Sequence, residues 1–170
     1  EALGVPSRVP EPVAVALECV RKKLLTKFQA RELLAGRRRF TLGQYRILEE
    51  IGRGGMGQVF KAEHRLMKRR VAVKVLPLSK ANPHTEAAFQ REIEMLGKLS
   101  HENIVAAHDA GHDGNVYYLV TEYVPGVDLR RQVARHGPLN QWQAVAVIAQ
   151  AARGLAFAHR SGLVHRDVKP

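Results

Sequence analysis

The sequence predicts an α+β fold, and three features carry that expectation. Between Tyr45 and Val124, five short segments read as strands, and the first two alternate apolar and polar residues, the period of half-buried strands. The first two flank a glycine-heavy turn, which makes them a hairpin. One segment of helical period lies among the strands and an alanine-rich one follows, so the elements lack the regular strand–helix alternation of an α/β chain. The expected elements are five strands with one helix among them, followed by the start of a helical part. The chain has 170 residues, 45% hydrophobic and 25% charged, which suits one domain with an appendage.

Residues 1–12 are proline-rich and predict no packed structure. Two short helices follow. In the second, "TKFQARELLAG", Thr26 caps the N-terminus and Gln29 reaches back as a capping box, while Gly36 supplies a left-handed stop. Leu25 and Ala30 form a modest staple across that cap. Packing or partner contact is the role this extension suggests.

The strands then run as "YRILEEIG", "QVFKAEH" and "RRVAVKVLPL", the last ended at Pro77. "TEAAFQREIEMLGKLS" sets Phe89, Ile93, Leu96 and Ser100 on one helical face. Two further strands surround the turn at Asp113, Gly114 and Asn115. "AVAVIAQAARGLAFAHRSG" is apolar nearly all round and reads as a helix built for deep burial. Trp142 stands before it as a helix-start anchor, and His101 reads as a structural residue at the exit of the preceding helix. The organisation expected is an extension over 1–40, a sheet-bearing unit over 41–121, and a helical start over 122–170.

The formal charge of +11 admits a nucleic-acid surface. The basic clusters at Arg21, Lys22 and Lys23, at Arg37, Arg38 and Arg39, and at Lys68, Arg69 and Arg70 lack interleaved aromatics, so solvated faces are the reading and no nucleic-acid partner is expected. Cys19 is the only cysteine, which excludes an internal disulfide and fits a reducing cytoplasm. No apolar run reaches the length of a membrane span. His108 and His112 lie on a strand and turn, a poor frame for a metal pair, and no metal ligand is expected.

The turn from Gly52 to Val59 frees backbone N–H groups for phosphate oxygens and lets a ligand approach closely. A strand follows these glycines, which excludes a dinucleotide-binding helix, and no Gly-Lys-Ser/Thr closes a Walker loop. Lys74 lies on the third strand with Val73 and Val75 on the opposite face. An ammonium among apolar neighbours requires an anion, and a ligand phosphate or a carboxylate of the next helix could supply it. Glu92, at the edge of the inward face beside Ile93, is preferred to Glu94.

On "GRGGMGQVFKAEH", "VAVK", the helix glutamate and "HRDVK", the chain resembles a serine/threonine protein kinase of the bacterial type, from about Tyr45 to its last residue. The resemblance implies a kinase small lobe, a five-stranded antiparallel sheet plus one helix, followed by a large lobe cut within the catalytic loop. It implies that Ile51, Gly52, Arg53, Gly54, Gly55, Met56, Gly57, Gln58 and Val59 cover ATP, with Ala72 and Val59 against adenine. Lys74 would meet the α and β phosphates, held by Glu92. Thr121 would be the gatekeeper, Glu122, Tyr123 and Val124 the hinge, and Asp128 the ribose acid. His165 and Arg166 open the loop in which Asp167 would orient the substrate hydroxyl and Lys169 would neutralise the transferred phosphoryl.

The loop asparagine and the other Mg²⁺ ligands would fall past Pro170. The expectation is therefore a kinase parent using ATP, Mg²⁺ and a protein substrate with Ser or Thr, while this chain alone is inactive and its alanine-rich helix faces water. The alternative is a nucleotide-binding interaction module without catalysis, with residues 13–40 docking a partner.

Overall fold

A computed structural model describes residues 11–54, 57–77, 82–165 and 168. The chain opens with two helices, α1 (Pro12–Arg21) and α2 (Lys27–Leu34). Proline at the start of α1 has no N–H to leave unsatisfied there. Thr26 and Gln29 close the capping box on α2, and Gly36 follows with φ of +84°, a conformation glycine adopts without penalty.

Six strands come next in one sheet: β1 (Thr41–Leu42), β2 (Tyr45–Gly54), β3 (Gly57–His64), β4 (Arg70–Pro77), β5 (Ala107–Asp113) and β6 (Val116–Glu122). Their spatial order is β1-β2-β3-β4-β6-β5, and every pairing is antiparallel. Five strands match the sequence expectation. The sixth, β1, is two residues long and pairs with the start of β2.

The sheet curls until its edges meet. Asp113, at the end of β5, accepts from Gly43 N at 2.6 Å and from Arg39 at 2.5 Å, and Tyr45 Oη donates to Asp109 at 2.8 Å. Inside the curl lie Leu42, Tyr45, Ala62, Val71, Val73, Val75, Tyr118 and Val120. The Arg39 guanidinium and the Gly43 amide hold the Asp113 carboxyl below its ordinary range, the amide contributing most.

The other face of the sheet carries α3 (Pro83–Gly97), capped by Asn82 and Thr85. Phe89, Leu76 and Leu119 form a second buried cluster, with Ile93 and Leu96 against it. Ser100 lies beyond the end of α3, so the helical face stops at Leu96. Two more helices follow, α4 (Leu129–His136) and α5 (Gln141–Arg160). In α5 only Gly154 and Ala158 are buried. Trp142 is 81% exposed, so it stands near the helix start without anchoring it. Val145 and Ile148 are exposed on the same helix. No helix among the described residues is long and apolar enough to cross a membrane.

Candidate functional site

Register brings the candidate residues onto one face. Directly opposed residues of antiparallel strands share a face. Val59 pairs with Lys74, and Lys74 with Leu119; one row away, Lys61 pairs with Ala72, and Ala72 with Thr121. Val59, Ala72, Lys74 and Thr121 therefore line one surface. Val71, Val73 and Val75 point the other way, into the curl.

α3 meets this surface from one side. Its apolar residues Phe89, Ile93 and Leu96 seat it on the sheet, and Glu92, one turn after Phe89, reaches the strand. Lys74 Nζ donates to Glu92 Oε2 at 2.5 Å, with the two side chains 24% and 30% exposed. Glu94 is turned away and accepts from Gln90 at 3.4 Å. A charged pair at this depth keeps a wet side from which an anion can reach the ammonium.

The glycine hairpin continues β2 and β3 at one end of that surface. Gly52 pairs with Val59 and Gly54 with Gly57, which has φ of +133°. Glu50 pins the stem: its carboxylate accepts from Arg53 at 2.9 and 3.1 Å and from Gln58 Nε2 at 3.3 Å. These bonds, that from Arg53 first, hold the Glu50 carboxyl below its usual range. Glu50 pairs with Phe60 and so lies on the curl side of the hairpin stem; the sequence reading gave it no role, and its signal was an acid three residues before Arg53. Ile51 is an extra residue between two paired neighbours. Gly55 and Met56 lie outside the described residues.

At the far end, Glu122 N donates to Ala106 O at 2.9 Å and fixes the end of β6. Lys61 Nζ lies 4.8 Å from the centroid of the Tyr123 ring, a cation–π contact just past the end of β6. Val124 is exposed. Asp128 caps α4, its carboxylate accepting from Arg131 N at 2.7 Å. The sequence reading missed this helix, although Asp128 before it and Gly137 after it, at φ of +82°, are ordinary boundary signals.

The segment between α3 and β5 joins the sheet to α5. His101 Nδ1 accepts from Asn103 N at 3.0 Å, and its ring lies 5.0 Å from that of Phe157, so His101 is structural. Arg166, Asp167 and Lys169 lie outside the described residues. Among the described residues, no group of three His, Cys, Asp or Glu side chains could hold a metal ion, His108 and His112 included.

Known proteins resemble this chain in sequence and fold. The sequence profile of the protein kinase domain matches residues 45–170. The chain is 40% identical over 129 residues to the serine/threonine-protein kinase PrkC of Bacillus subtilis, covering 75% of this chain and 20% of that protein. It is 39% identical to the serine/threonine-protein kinase PknD of Mycobacterium tuberculosis, covering 75% of this chain and 19% of that one. The crystal structure of the M. tuberculosis PknI kinase domain superposes with a TM-score of 0.66 at 32% identity, covering 76% of this chain and 53% of that chain. The chain thus spans about a fifth of these curated relatives and about half of the crystallised domain.

Proposed function

Because this chain belongs to the protein kinase domain family, we propose that it binds ATP beneath the glycine hairpin and serves a serine/threonine kinase. The observation that carries this reading is the ion pair of Lys74 with Glu92 on the surface lined by Val59, Ala72 and Thr121. Glu92 uses one of the three donors of the ammonium and fixes its direction, and the remaining donors suit phosphate oxygens. The amides near Gly52 and Gly54 suit the same anion, since neither position has a side chain to keep a ligand away. Val59 and Ala72 offer an apolar wall to a base, and the backbone of Glu122 to Val124 offers its edge hydrogen bonds.

Lys74 orients the α and β phosphates and offsets their charge. Asp167 orients the hydroxyl of a Ser or Thr in a protein substrate and accepts its proton as the oxygen attacks. The bond from the γ phosphorus to the bridging oxygen breaks, and ADP leaves with that electron pair. Lys169 offsets charge on the transferred group. Kinases use Mg²⁺ for further charge neutralisation. The described residues offer no cluster that fits the ion, so no step here runs through it. ATP chemistry of this kind belongs in the cytoplasm, where a lone unpaired Cys19 is also at home.

Calorimetric titration with ATP tests the reading. Lys74→Ala should weaken binding by about 10-fold or more, the worth of a hydrogen bond to a charged group. Equal affinity for the unaltered chain and the variant would remove Lys74 from the site.

A further inference from the structure

The glycine hairpin is held from outside the segment that matches the kinase profile. In the β2–β3 ladder, Ile47 pairs with Ala62 and Glu49 with Lys61, so Leu48 is an extra residue. A bulge of this kind takes backbone groups off the ladder and re-aims the strand beyond it. Backbone groups removed from water need other partners. Residues before Tyr45 provide them. Ile47 N donates to Phe40 O at 2.8 Å, Gln29 Nε2 donates to Ile47 O at 2.6 Å, and Thr26 Oγ1 donates to Leu48 O at 2.6 Å.

The same two side chains cap α2. Thr26 Oγ1 accepts from Gln29 N at 3.1 Å, and Gln29 Oε1 accepts from Thr26 N at 2.9 Å. Each therefore acts at both ends: its acceptor closes the first turn of α2, and its donor takes a carbonyl of the bulge. The backbone donor fixes which end of the Gln29 amide is oxygen, so its nitrogen must face β2. Gln29 is 5% exposed, a buried polar side chain with both functions used. Phe28 supports the contact, its ring 6.0 Å from that of Phe60, which pairs with Glu50.

We propose that Thr26 and Gln29 are positioning residues for the nucleotide hairpin. By holding the carbonyls of Ile47 and Leu48, they set the direction in which Glu50 to Gly54 leaves the sheet, and so the height of the glycine flap over Lys74. The proposal rests on the nucleotide reading given above. It assigns to the extension a part in nucleotide affinity that involves no contact with the nucleotide.

Three variants of the full chain separate positioning from helix capping. Gln29→Glu keeps an oxygen to accept from Thr26 N but has no donor for Ile47 O. Gln29→Ala loses both functions, and Thr26→Ser keeps both of its own. Amide hydrogen exchange without nucleotide is followed over residues 49–54 and over α3, and ATP affinity is measured alongside. Gln29→Glu and Gln29→Ala should both speed exchange over 49–54 and weaken ATP binding by about 3- to 10-fold, the effect of one lost hydrogen bond. Thr26→Ser should change neither, and exchange in α3 should stay as it was.

Unaltered exchange over 49–54 would overturn the proposal. So would an equal rise in α3, which would mean general loosening, or faster exchange with ATP affinity unchanged. Failure of the unaltered chain to bind ATP would instead sink the nucleotide reading, while the exchange comparison still decides whether α2 holds the hairpin.

Discussion

Replacing Gly57 with alanine should damage the fold, whereas the same change at Gly54 should leave it intact. A Cβ at Gly57 would lie 2.0 Å from the carbonyl oxygen of Val75 and 3.0 Å from its carbon. Even a favourable C–H···O contact needs about 3.3 Å, so β3 would have to part from β4 by roughly an ångström. The pairings of Gln58 with Val75 and Val59 with Lys74 lie in the path of that movement. The φ of +133° adds its own penalty, because side chains rarely adopt it. Backbone strain of about 1–3 kcal/mol and one lost ladder bond of about 1 kcal/mol together give a destabilisation of about 2–4 kcal/mol. At Gly54 nothing lies within 4 Å of the added carbon, and at Gly52 the nearest atom is Val59 Cβ at 3.7 Å. Urea unfolding of the three alanine variants, followed by circular dichroism, reads the difference. Gly57→Ala within about 0.5 kcal/mol of the unaltered chain, the range of neutral surface changes, would refute the reasoning. The outcome also matters for function: if Gly54→Ala folds normally, any loss of ATP affinity in it reports the approach of the ligand and not unfolding.

Two further outcomes follow from contacts that close the structure. The Asp113 carboxyl is depressed in the fold, so its contribution is present above its unfolded value of about 3.9 and is lost as pH falls through the lower folded value. Asp113→Asn should therefore cost stability near neutral pH, and the gap to the unaltered chain should narrow below about pH 4; an equal gap throughout an acid titration of unfolding would rule this out. In α5, a Cβ at Gly154 would sit 2.8 Å from Asn103 O. Gly154→Ala should push α5 off the segment at His101 and destabilise it by about 1–3 kcal/mol, against the roughly 1 kcal/mol that alanine adds to a helix. Slower hydrogen exchange over residues 155–160 in the variant would show that propensity wins and that the contact is loose.

Much of this was legible from residue pattern, for identifiable reasons. β2, β3, β4 and β6 bury one or both faces around a curled core, and that leaves runs of alternating or continuous Val, Ile, Leu and Tyr that a period can detect. The placement of Glu92 beside Lys74 follows from the helical spacing of Phe89, Ile93 and Leu96, since a residue one turn from a buried anchor must lie near the same surface. β1 was not legible because two residues carry no period, and the Gly43 amide just after it is bonded to Asp113, 70 residues away in the chain. α4 was hidden by its charge: in "LRRQVARH" only Leu129, Val133 and one alanine are apolar, and none is buried. The glycines of the hairpin look alike as letters, and the φ of +133° and the distance to Val75 tell Gly57 from Gly54.

The contact between α2 and β2 shows a subtler limit. A capping box is a local pattern, and it was read correctly as one from Thr26 and Gln29. It accounts for the two acceptor oxygens and says nothing of the hydroxyl hydrogen or the amide nitrogen. Those donors are committed 22 and 18 residues further along the chain, at Leu48 and Ile47. A buried glutamine with half its bonding unassigned must spend the other half somewhere, because an unmet buried donor is costly. A buried cap therefore carries more polar functions than its motif names, and each of the others requires a partner elsewhere in the chain. By that count the carbonyls of the β2 bulge belong to the helix cap as fully as the amides of α2 do, and the extension and the hairpin form one hydrogen-bonded unit.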